Sequence, residues 1–101
     1  MAGIAIDMAG LPGSELIERG LADLRNGHES SEALLVSIGA PRLQALGVPI
    51  AKPISSPEHK LYARLAAEKG DGAHSACNAM VRRLVSFERA AARAQAGSDR
   101  I

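Results

Sequence analysis

The chain contains no tryptophan, one phenylalanine, one tyrosine and one cysteine. Each scarcity excludes something. With Phe87 and Tyr62 as the whole aromatic complement, there is no stacking platform for single-stranded nucleic acid. A lone cysteine, Cys77, rules out an internal disulfide and suits a reducing compartment, so a cytoplasmic location is expected. No run approaches the roughly 18 apolar residues of a membrane span. Met1 to Gly13 carries Asp7 and no basic residue, which makes it a poor signal peptide. A formal net charge of +1 gives no bulk attraction to nucleic acid or to an anionic membrane.

What the chain does have is alanine, 19 of its 101 residues. Alanine is the best helix former, and β-branched and aromatic residues are sparse, so the composition favours helices over a sheet. The length is that of one domain. Its core has to be assembled from Leu, Ile, Val and Ala with the helices in close approach. So thin a core favours self-association.

Apolar spacing and turn residues divide the chain into five helical stretches. Pro12-Gly13-Ser14 opens the first, with Ser14 as the expected N-cap and Glu15 favourable in the first turn. Leu16, Ile17, Leu21 and Leu24 share one face, and Asn26-Gly27 ends the stretch. The second begins at Ser30 or Ser31. It is apolar nearly all round through Leu34, Leu35, Val36 and Ile38, which predicts a central position. Gly39-Ala40-Pro41 leads into a short third helix, Pro41 to Leu46, closed by Gly47. Pro49, Pro53 and Pro57 make the following segment an extended crossover. Ser56-Pro57-Glu58 then opens a fourth helix that runs to about Lys69 and buries Leu61, Tyr62 and Leu65, with Ser56 as the expected cap. Gly70-Asp71-Gly72 forms a tight turn, with Asp71 able to cap the helix that follows.

The last helix carries the strongest pattern. Ala73, Cys77, Met80, Leu84, Phe87, Ala91 and Ala94 are spaced 4-3-4-3-4-3, the rhythm of a helix packed along its length against others. The short turn before it makes the last two helices an antiparallel hairpin. The expected fold is an all-α, compact bundle of four to five helices with a long C-terminal helix. Residues 1–13 are expected to form a flexible arm, 14–95 a single helical domain and 96–101 a frayed tail.

Candidate chemistry is sparse. His74 and Cys77 lie three residues apart and both can ligate a metal, but zinc takes about four ligands and no other Cys or clustered His accompanies them. The same two residues lack a third group to orient a nucleophile, apart from Asp71 with its capping role. Glu29 and Glu32 are ordinary acids at a helix start. Gly10 to Gly13 lacks the lysine of a phosphate-binding loop. Ser31 to Val48 imitates a helix-turn-helix, with Arg42 and Gln44 as base readers. Its second helix, however, is too short to lie well in a major groove. No catalytic residue, cofactor or metal is assigned.

The charge distribution gives the best lead. Residues 1–50 carry three basic and six acidic side chains, and residues 51–101 nine basic and five acidic. Arg82, Arg83, Arg89 and Arg93 decorate the outer surface of the last helix, and Glu88 is at salt-bridge spacing from none of them. A solvated face is the commonest fate of such charges; pairing with front-half acids such as Glu18 or Glu32 is the next. The functional expectation is a non-catalytic interaction or regulatory module, homodimeric or bound to another protein. Met80, Leu84 and Phe87 would anchor the partner, and Arg82, Arg83, Arg89 and Arg93 would orient it. The alternative is a nucleic-acid-binding regulator using the same basic face.

Overall fold

A computed structural model of the chain describes residues 10–50 and 52–98. The expected arm falls mostly on residues 1–9, outside the described residues. Five α-helices follow one another: α1 (Ser14–Arg25), α2 (Ser31–Ile38), α3 (Ala40–Ala45), α4 (Pro57–Lys69) and α5 (Ala73–Ser98). A single 3-10 turn, Gly70–Gly72, joins the last two. The fold is the all-α bundle expected, with no strand among the described residues. α5 keeps its helical backbone through Ser98, about 39 Å of helix over 26 residues, and draws the long dimension of the molecule out to 49 Å. Residues 99–101 lie outside the described residues.

α2 is the hub. It packs against α1, α3, α4 and α5, and Ala33 through Ser37 are all buried. That is the physical meaning of its apolar character on every side. Its start is fixed twice over by Ser30: the Oγ accepts from the Ala33 amide at 3.0 Å and donates to the Asp23 carboxylate of α1 at 2.6 Å. One buried hydroxyl thus caps α2 and ties it to its neighbour.

Two of the expected caps are not used. Gly13, not Ser14, stands at the N-cap of α1, with φ 77° and no side-chain cap bond. A Cβ there would sit 2.9 Å from the Arg83 carbonyl oxygen, so this glycine serves both a left-handed turn and the close approach of α1 to α5. Ser56 does stand at the N-cap of α4, as expected, but with φ 49° its side chain makes no cap bond. Tyr62, expected in the core, is 47% exposed, and α4 buries only Leu61 and Leu65.

The crossover is held by side-chain bonds to its backbone. Ser37 Oγ, buried within α2, donates to the Ala33 carbonyl and accepts from the Ile54 amide, each at 2.9 Å. Gln44 Nε2 donates to the Ile50 carbonyl at 2.8 Å. Val48 and Ile50 enter the core between these ties, joining Ile17, Leu34, Leu35, Leu43 and Phe87.

Candidate functional site

α5 presents two unlike faces. On the inner one, Ala73, Leu84, Phe87 and Ala91 are buried within the single chain, while Cys77 and Met80 lie at the edge of the core. Phe87 is wholly inaccessible and is one of the largest side chains in the core. Leu84 and Phe87 are therefore unavailable as anchors for a partner docked on the closed fold, a correction to their expected role. Met80 is half-buried. Ala94, assigned to the same seam, is exposed, and Glu88, unassigned, is buried.

On the outer face Arg82, Ser86, Arg89 and Arg93 are all exposed and follow one another at helical spacing. Among the described residues Arg82, Arg89 and Arg93 make no ion pair. Arg83, one step around the helix, pairs with Glu15 in the first turn of α1 rather than with Glu18 or Glu32. A backbone hydrogen bond holds the Glu15 carboxyl below its ordinary range, and Arg83 acts in the same direction. A hollow of about 440 Å³ lies at this junction, lined by Leu11, Gly13, Glu15, Arg82 and Ser86.

Between the two faces runs a shallow apolar groove of about 310 Å³. Ile38 and Pro41 form its α2–α3 side, Val81 and Val85 its α5 side, and Arg42 and Glu88 its far end. Pro41 is exposed, and Ile38, Val81 and Val85 are half-buried, so apolar surface here remains open to solvent. Glu88 is 7% exposed and lies 3.8 Å from the Arg42 guanidinium. Burial raises its pKa, and the nearby Arg42 charge opposes that rise only in part. Gly39 makes this arrangement fit: a Cβ there would fall 2.9 Å from a Glu88 carboxylate oxygen and about 3 Å from the Leu84 methyls.

The pattern of the sequence missed the groove, because its lining comes from two segments about forty residues apart. The one available signal was Glu88, the single acid on the basic helix without a local partner.

The other candidates stay separate. His74 is exposed and meets Asn78 at 3.3 Å, while Cys77 packs on the core edge. Among the described residues no three His, Cys, Asp or Glu side chains come together in a way that could hold a metal ion. Arg42 and Gln44 are committed elsewhere, to Glu88 and to the Ile50 carbonyl. No helix of the described residues is long and apolar enough to cross a membrane. No protein-family model, curated protein or solved structure matches the chain.

Proposed function

We propose that this chain is a non-catalytic helical interaction module whose working surface is the outer side of α5. One observation carries the reading: three arginines without ion pairs among the described residues line an exposed ridge beside an open apolar groove. Arginine beside exposed apolar surface is the composition of protein-docking sites, where charge orients and apolar burial holds. Self-association is proposed beside it, on a separate surface. It falls to the α4 side, where Tyr62 is the one large hydrophobic side chain exposed among the described residues. The second reading, a nucleic-acid-binding regulator, draws on the same arginines, and binding that falls steeply with salt would mark it.

The test places a photo-activatable residue at Ser86, on the outer face of α5, or at Arg19, exposed on α1, in the full chain. Discrete adducts from position 86 and none from position 19 support the reading. Adducts from position 19 alone, or equally from both, displace it. Light scattering over a range of concentration decides the self-association: a dimer that Tyr62→Glu dissolves supports it, and a single-chain mass throughout removes it.

A further inference from the structure

Resting on that reading of α5, we infer that the groove between Val81/Val85 and Ile38/Pro41 takes an acidic amphipathic helix, laid along α5 with its carboxylates on the arginine ridge. The argument begins with charge. Arg82 and Arg89 flank the groove-lining Val85 on α5 at three and four residues, Arg82 also bordering the hollow beside α1. Arg42 stands at the far end, 62% exposed at the side chain and paired with Glu88. Glu88, the one acid lining the groove, is buried and offset by Arg42, so the charge a partner meets beside the apolar surface is that of the arginine ridge. A basic partner would meet like charge along the ridge. An acidic one is steered in and held in register.

Spacing then selects a helix. Arg82 and Arg89 are seven residues apart on α5, two turns, or about 10.5 Å along the axis. Acids seven residues apart on a second helix have the same rise, so a helix lying along α5 can meet both arginines with one pair of carboxylates. Its residues one, four and eight positions on from the first acid lie together on one flank of the acid pair and turn to the groove, where Val81, Val85, Ile38 and Pro41 offer open apolar surface. Arg93, four residues beyond Arg89 on the same ridge, extends the match by one more turn. A nucleic-acid backbone would use the arginines and leave the apolar groove empty, and no aromatic side chain stands on the ridge to stack a base.

The probe is a synthetic helix of about 20 residues, long enough to form in isolation, with leucines along one stripe and glutamates seven apart beside it. Three comparison probes accompany it: the same peptide with lysine for glutamate, a scrambled peptide of the same composition, and a short DNA duplex. Amide shifts of the full chain report where each binds. The glutamate helix is expected to move the amides of Ile38, Arg42, Val81 and Val85. The double variant Arg82→Glu/Arg89→Glu should weaken it by about tenfold and should bind the lysine peptide better than the native chain does. A dispersed amide spectrum of the variant shows that this gain belongs to the folded chain. Equal binding of the scrambled peptide overturns the inference, since charge alone would then suffice. Binding of the lysine peptide or the duplex at the same amides, with the glutamate helix inert, overturns the partner class and leaves the working surface of α5 standing. If no probe moves α5 and the photo-adducts at position 86 are also absent, both readings fall together.

Discussion

Replacing Gly20 with alanine sets two opposed effects against each other, and the structure decides between them. Gly20 lies inside α1, where alanine is the better residue by up to about 1 kcal/mol of helix propensity. Its missing side chain is also what lets α1 approach α2. A Cβ would stand 2.5 Å from the Glu32 carbonyl oxygen and 2.5 Å from a Val36 methyl. Ordinary contact needs roughly 1 Å more. Val36 can rotate, but the Glu32 carbonyl is backbone in the central helix and cannot. α1 must therefore shift outward, loosening Ile17 and Leu21, which are buried against α2. Overpacking of this kind costs about 1–3 kcal/mol, more than the propensity gain. Gly20→Ala is thus expected to lower stability by about 1–2 kcal/mol, a fall of about 5–15 °C in melting temperature for a domain of this size. Circular dichroism during heating measures it. Gly72→Ala is the control, because a Cβ there meets nothing closer than Lys69 at 3.7 Å; its effect should be small. A Gly20→Ala chain that melts higher than the native one would refute the close α1–α2 approach.

Other perturbations probe other parts of the account. Phe87→Ala should cost about 3–5 kcal/mol, a large share of the 5–15 kcal/mol or so typical of a small domain, so urea unfolding should shift markedly; a loss under about 1 kcal/mol would mean the ring is not enclosed. Ser37→Ala strands the Ile54 amide and should cost about 1–3 kcal/mol, whereas Ser31→Ala, outside this network, should cost less. Glu88 sets a pH dependence. Because burial raises its pKa, the folded chain holds this proton more tightly than the unfolded chain does. Its contribution to stability is therefore greatest below the ordinary carboxylate pKa and declines as pH rises through the raised folded value. Glu88→Gln should flatten that decline; urea titrations over a pH series that show a steeper decline would contradict the assignment.

The helices were legible because their signals are local. Asn26-Gly27, Gly39 with Pro41, and Pro57 mark real boundaries, and Ser30 caps α2 as its side chain suggests. α2 was readable as central from its apolar character alone. The seam of α5 was readable only in part, and the reason is geometric. A strict heptad repeat drifts about 20° per heptad around a straight α-helix. Three heptads separate Ala73 from Ala94, so by the last position the repeat has turned about 60° away from the core. Ala91 is buried in consequence, Gln95 reaches the Leu46 carbonyl, and Ala94 faces solvent. Tyr62 was misplaced, and the burial of Glu88 went unread, for the opposite reason: tertiary contact decided each against its chemistry. Gly39 lets α5 come close enough to enclose Glu88, while α4 has only one narrow stripe to bury and leaves Tyr62 outside it.

The arginine ridge was visible in the sequence, but its companion groove was not. Val81 and Val85 gain meaning only when α5 lies against Ile38 and Pro41, and no local spacing relates those four residues. The pairing of Arg83 with Glu15 likewise depends on the way Gly13 brings the start of α1 to α5.

The division of α5 into a face that closes the core of one chain and a face left for a partner is the claim on which the rest depends. It is tested most directly by amide hydrogen exchange at Leu84, Phe87 and Ala91, measured at a dilution where light scattering gives a single-chain mass. Protection at all three that matches the global unfolding free energy is the predicted result. Rapid exchange at these amides in the single chain, or the absence of any folded single chain at accessible dilution, would place the inner face between subunits and contradict the account.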